Sequence, residues 1–156
     1  MSTTSTAPST RDGVARTVGR VWLGLTLAFA GTTHLTVARQ EFQAQVPSWV
    51  PLDPDLVVLA SGVVEITLGL ALTFAPRRWR PWVGAAAALF FVAIFPGNVA
   101  QYLEQKDGFG LDTDAKRLAR LPFQVVLVLW SLWSTGAWRA FRAHRAALAA
   151  RPGDGR

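Results

Sequence analysis

The chain has 156 residues, of which 51% are apolar and only 17% charged, with a net charge of +6 and no cysteine. Such a length accommodates one bundle of several helices, and the charge content lies below the roughly 25% usual for soluble proteins. The absence of thiols excludes disulfide exchange, thiolate catalysis and cysteine-ligated metal. The basic residues flank long apolar runs, so membrane lipid, and no nucleic acid, is the expected partner of the positive charge.

In chain order, a small, polar tail over residues 1–15 is expected to be disordered. Four spans then follow at about 18–37, 55–74, 81–102 and 121–138. The evidence is the spacing of charge: residues 21–38, 81–103 and 121–138 carry no formal charge with His34 neutral, and residues 56–76 carry one, Glu65. Each stretch approaches the roughly 20 residues that cross a bilayer. Ala28-Phe29-Ala30 resembles a small-x-small cleavage site, but the apolar stretch continues past it to Val37, as in a span rather than a signal peptide. Pro81 suits a helix start, whereas Pro96 should kink or break the third span near its end. The fold class is thus all-α, an integral membrane bundle of four transmembrane helices.

Eleven basic residues fall on the side of the N-terminal flank, the second connection (Arg77, Arg78, Arg80) and the basic tail 139–156. Five fall on the other side, together with most of the acids. The positive-inside rule places both termini in the cytoplasm. Trp22, Trp79, Trp82 and Trp138 gather near the same end, as an interfacial belt would. The connection 38–54 carries Phe42, Val46, Trp49 and Val50 between proline breakers, and reads either as a short amphipathic segment on the outer surface or as an ordered loop.

Glu65 is the most informative residue, because a carboxylate at bilayer depth costs roughly 2.5–3.5 kcal/mol on insertion scales and therefore needs a partner, a proton or a function. His34 ends the first span, Asn98 follows Pro96, and Arg120 and Gln124 open the fourth span one turn apart, all in the same outer half. Small-residue stripes at Ser61/Glu65/Gly69 and Gly24/Ala28/Gly31, with Gln124/Ser131/Ser134, should turn these helices' polar faces inward and bring Glu65 near His34 or Gln124. The cluster can be a hydrogen-bond network that fixes helix register, a ligand pocket open to the outer face, or part of a proton path. No acid in the inner half completes a path. No metal site is expected: His34 and His144 lie at opposite ends, and Asp107, Asp112 and Asp114 lack the spacing of a calcium loop. They read as a solvated acidic loop. Catalytic residues are not identifiable.

The stretches AGTTHLTVARQEFQAQVPSWVP (30–51), SGVVEITLGLAL (61–72), FPGNVAQYLE (95–104) and RLPFQVVLVLW (120–130) resemble the DoxX-like family of small bacterial four-helix membrane proteins. Gly97 stands where that pattern leads one to expect alanine, and Leu35 where it has an aromatic. The resemblance implies a multi-pass protein of the bacterial plasma membrane in which His34, Glu65, Asn98, Arg120 and Gln124 occupy the family's polar positions. It further implies a membrane subunit or accessory component, redox-linked through quinone or through a soluble or membrane oxidoreductase partner, since the chain has no intrinsic cofactor motif. A homo-oligomer is compatible with it. The leading expectation is a small hydrophobic ligand, with quinone the first candidate, bound at the outer polar pocket. The alternative is a non-catalytic scaffold whose polar cluster only holds the bundle together.

Overall fold

The computed structural model describes residues 10–150, with side chains described from Gly13 onward. Among these residues the chain is all-helical: α1 Thr10–Leu35, α2 Arg39–Gln43, α3 Pro54–Phe74, α4 Arg80–Leu103, α5 Asp114–Thr135 and α6 Ala137–Ala149. Helices α3, α4 and α5 are each long and apolar enough to cross a membrane. Side chains that a soluble fold would bury point outward, Phe29, Leu89, Phe123 and Leu129 among them. An apolar exterior of this extent is stable against lipid rather than water, as in an integral membrane protein.

Three helix boundaries differ from the expectations above. Helix α1 already begins at Thr10, so the tail expected over 1–15 is helical in its last residues, while residues 1–9 lie outside the described residues. The fourth span was expected at 121–138, but α5 runs from Asp114 to Thr135. Thr113 accepts a hydrogen bond from the Lys116 backbone and Asp114 sits in the first turn, so capping starts the helix about two turns outside the apolar run. Gly136, at φ +76°, ends α5 in the left-handed conformation that favours glycine, and Trp138 therefore belongs to α6. Helix α4 also continues through Pro96 to Leu103. The Gln124 amide donates to the Phe91 carbonyl at 2.6 Å, just over one turn before the proline, and supports the backbone there.

Helix α1 packs chiefly on α3 and α4 chiefly on α5, with α1 against α5 joining the two pairs. The small-residue stripes make the first pairing possible. A methyl added at Gly31 would lie 2.6 Å from the Gly62 carbonyl oxygen, and one at Gly69 would lie 2.6 Å from the Ala28 nitrogen. Leu23, Leu27, Leu72, Ala87 and Phe91 form the buried apolar centre. Helices α3 and α4 touch little, and towards the end that carries His34 and Asn98 the space between the two pairs widens into a cavity.

Candidate functional site

The cavity has a volume of about 350 Å3, and its lining includes His34, Glu65, Asn98, Arg120 and Gln124. Its remaining wall is largely apolar, with Leu27, Phe91, Ile94 and Leu127 contributing. All five polar residues singled out from the sequence thus reach one space.

The α1–α3 pair supplies the first wall. Close approach at Gly31 and Gly62 sets His34 beside Glu65, whose Oε2 lies 3.3 Å from His34 Nδ1. The same nitrogen lies 2.8 Å from the Ala30 carbonyl oxygen, which can only accept, so Nδ1 carries a proton and donates it there. Glu65 is only 5% exposed, and its Oε2 has no hydrogen-bond donor among the described residues. A carboxylate oxygen in that state is unusual and costly.

The α4–α5 pair supplies the second wall. Asn98 Nδ2 donates to Gln124 Oε1 at 3.1 Å, and Gln124 passes the interaction on to the Phe91 carbonyl. This short chain is satisfied within the protein. Gln124 therefore partners Asn98, and among the described residues the polar side chain beside Glu65 is His34. Arg120 donates to Gln101 Oε1 at 3.3 Å and stands over the Phe109 ring, 5.6 Å from its centre. Among the described residues no carboxylate pairs with Arg120. The site therefore has a buried carboxylate on one wall and a guanidinium on the other, with no ion pair between them.

The connection 38–54 closes the outer end. Phe42 on α2 stacks on the His34 imidazole, ring centres 3.3 Å apart, and meets Phe109 edge-on at 4.5 Å. Pro47, Trp49 and Val50 add apolar lining. This cover is fastened by polar contacts. Arg39 forms a two-pronged ion pair with Asp55, Glu41 accepts from the Phe109 backbone, and Lys106 donates to the Val46 carbonyl at 2.9 Å. Glu104 accepts from both the nitrogen and hydroxyl of Ser48, at 3.1 and 3.0 Å. The hydrogen bond from Lys106, followed by that from the Ser48 backbone, holds the Glu104 carboxyl below its ordinary range. The acidic loop is solvent-exposed, as expected, and its carboxylates also make local ion pairs: Asp112 pairs with Lys116 at 2.6 Å, and Asp107 and Asp114 both pair with Arg117.

Phe109 and Gln101 are not expected from the sequence, and Phe42 is expected only as part of the amphipathic 38–54 connection and not at the site. Gln101, which is 1% exposed, carried a usable signal, since it lies three residues after Asn98 on one helix face. The contacts of Phe42 with His34 and Phe109 carried none, because they join separate segments.

Residues 23–135 match the family model described as a domain of unknown function, DUF8561. That stretch is most of the chain and spans α3, α4 and α5 with half of α1. No curated protein and no solved structure matches the chain.

Proposed function

We propose, on the premise that the chain belongs to the DUF8561 family, that it is a four-span protein of the bacterial plasma membrane whose outer cavity binds a small hydrophobic ligand with a polar head. Helix α1 is the fourth span in this reading, supported by the uncharged stretch from Val21 to Ala38 and by its packing on α3. The distribution of basic residues supports cytoplasmic termini.

The observation that carries the ligand reading is the unpartnered Glu65 Oε2 on the wall of an apolar cavity, across from Arg120 without a carboxylate. A structural network would be expected to satisfy its own members, as Asn98 and Gln124 do. The volume falls in the lower part of the range of about 300–1,000 Å3 for small-molecule sites, whose walls are mostly apolar with a few converging polar groups.

The ligand class we favour is a quinone, supported by the DoxX-like motifs and by the donor set. Arg120 would donate to one carbonyl oxygen, and Glu65, when protonated, to another, while the apolar wall holds the ring. When bound, such a group supplies two-electron, two-proton chemistry; Glu65 and His34 would hold or move the proton. A redox role would further require an oxidoreductase partner.

Mass spectrometry of an organic extract of the protein purified in mild detergent, beside Glu65→Gln, tests this reading. It expects a near-stoichiometric small molecule that is lost from the variant. The self-contained Asn98–Gln124–Phe91 chain favours a second reading, a scaffold with a structural polar cluster, and only bulk lipid in both extracts would establish that reading instead.

A further inference from the structure

At the opposite end of the bundle a second cavity, of about 300 Å3, is ringed by Arg16, Arg20, Arg77, Arg80 and Arg139. These five cations come from α1, from the connection between α3 and α4 with the first residue of α4, and from the start of α6. Two of them have evident structural work. Arg20 is 4% exposed and donates to the carbonyls of Leu72 and Thr73, and Arg80 donates to the Ala75 carbonyl at 3.2 Å, so both cap the C-terminal end of α3. Among the described residues the other three make no hydrogen bond, and the buried Arg16 NH1 has no partner there. No acid among the described residues lines the cavity. Among residues 13 to 150 all eight acids lie in the outer connections or at Glu65.

We propose that this arginine-ringed cavity is a phosphate-binding site, taking the phosphodiester of an anionic phospholipid headgroup or a soluble phosphate group. Gathering five guanidiniums around one space is unfavourable unless an anion joins them, and the planar fork of arginine matches phosphate oxygens. The position fits a headgroup, because exposed Trp22, Trp79, Trp82 and Trp138 lie near the same end of the bundle, as interfacial tryptophans do. The site is independent of the outer cavity and of any ligand there.

The test is thermal unfolding of the full-length protein in delipidated non-ionic detergent, titrated with phosphatidylglycerol, phosphatidylcholine or inorganic phosphate at constant ionic strength. Two double variants accompany it. Arg77→Gln with Arg139→Gln removes two cavity cations that leave the fold's own hydrogen bonds intact; Arg142→Gln with Arg145→Gln removes equal charge from exposed α6 positions outside the cavity. The expected result is a saturable rise in midpoint with phosphatidylglycerol but not phosphatidylcholine. Apparent affinity should fall about tenfold or more in the cavity variant only, while both variants without ligand unfold near the wild-type temperature. Saturation by inorganic phosphate to the same extent, with the same variant dependence, would support the site and identify soluble phosphate as its ligand. Equal weakening by both variants, or equal effects of the two lipids, would overturn the proposal and leave only diffuse surface attraction. Should the cavity variant lose its fold, Arg77→Lys, which keeps the charge but not the fork, provides the same comparison.

Discussion

Gly31 and Gly62 face each other across α1 and α3 so closely that a methyl on either would strike the other's carbonyl oxygen, at 2.6 Å from position 31 and 2.9 Å from position 62. The contact lies immediately beside His34 and Glu65. Gly31→Ala should therefore push the helices apart, with a stability loss of about 1–3 kcal/mol as in other overpacked sites. Thermal unfolding in detergent checks the loss. An unchanged midpoint would mean that the two helices slide freely, and that the close approach does not set the His34–Glu65 distance.

Asn98→Ala probes the α4–α5 wall of the cavity alone. It leaves Gln124 Oε1 without its donor, an expected cost of about 1–3 kcal/mol. Under the ligand reading the co-purifying small molecule should be retained at wild-type occupancy, because Asn98 is satisfied by Gln124. Loss of the molecule at undiminished stability would move Asn98 from support to direct contact.

Glu65→Leu should remove ligand occupancy while leaving the fold intact or more stable, since an apolar side chain avoids the cost of a carboxylate at bilayer depth. Paired thermal unfolding and extract mass spectrometry read both quantities. A strongly destabilised Glu65→Leu with normal occupancy would contradict the ligand reading and fit a register-fixing role.

Gly97 permits the cover to close. A methyl there would collide with the Gln45 carbonyl oxygen, so Gly97→Ala should lift the 38–54 connection off α4. Hydrogen exchange of residues 44–50 should quicken several-fold while the α1–α3 helices remain protected. Unaltered exchange would show that the cover has slack at this point.

The fastening of that cover should also respond to acid. Glu104 has a carboxyl pKa held below its ordinary 4.5 in the fold, chiefly by Lys106 and then by Ser48. A depressed folded-state value contributes stability that is fully present above the unfolded pKa and is lost as pH falls through the folded one. The Ser48 amide should therefore exchange faster, relative to its intrinsic rate, as pH drops below the carboxylate range, and Glu104→Gln should flatten that dependence. A pH profile identical in the variant would remove Glu104 from the fastening.

The features legible in the sequence were those set by one helix at a time. The stripe from Ser61 through Glu65 to Gly69 and the stripe from Gly24 to Gly31 have helical periods, and together they carried the pairing of α1 with α3 and the approach of Glu65 to His34. The start of α5 was not found because Asp114, Lys116, Arg117 and Arg120 hide it from a hydropathy reading, although Thr113 is a recognisable cap. The cover escaped for another reason. His34 with Phe42, and Phe42 with Phe109, join segments whose geometry depends on left-handed or irregular backbone, including Phe109 at φ +56°, and no local period encodes such a meeting.

The arrangement of helices in two pairs has a mechanical consequence. His34 and Glu65 belong to one leaf of the bundle and Asn98, Gln124 and Arg120 to the other, and the leaves meet mainly along α1 and α5. The separation of carboxylate from guanidinium is therefore set by the splay of the leaves rather than by any bond between the two groups. Whatever spreads or squeezes the leaves, whether lateral pressure in the bilayer or a docked protein, changes the span that a bound molecule must bridge. The site is in effect a caliper whose jaws are the Glu65 carboxyl and the Arg120 guanidinium.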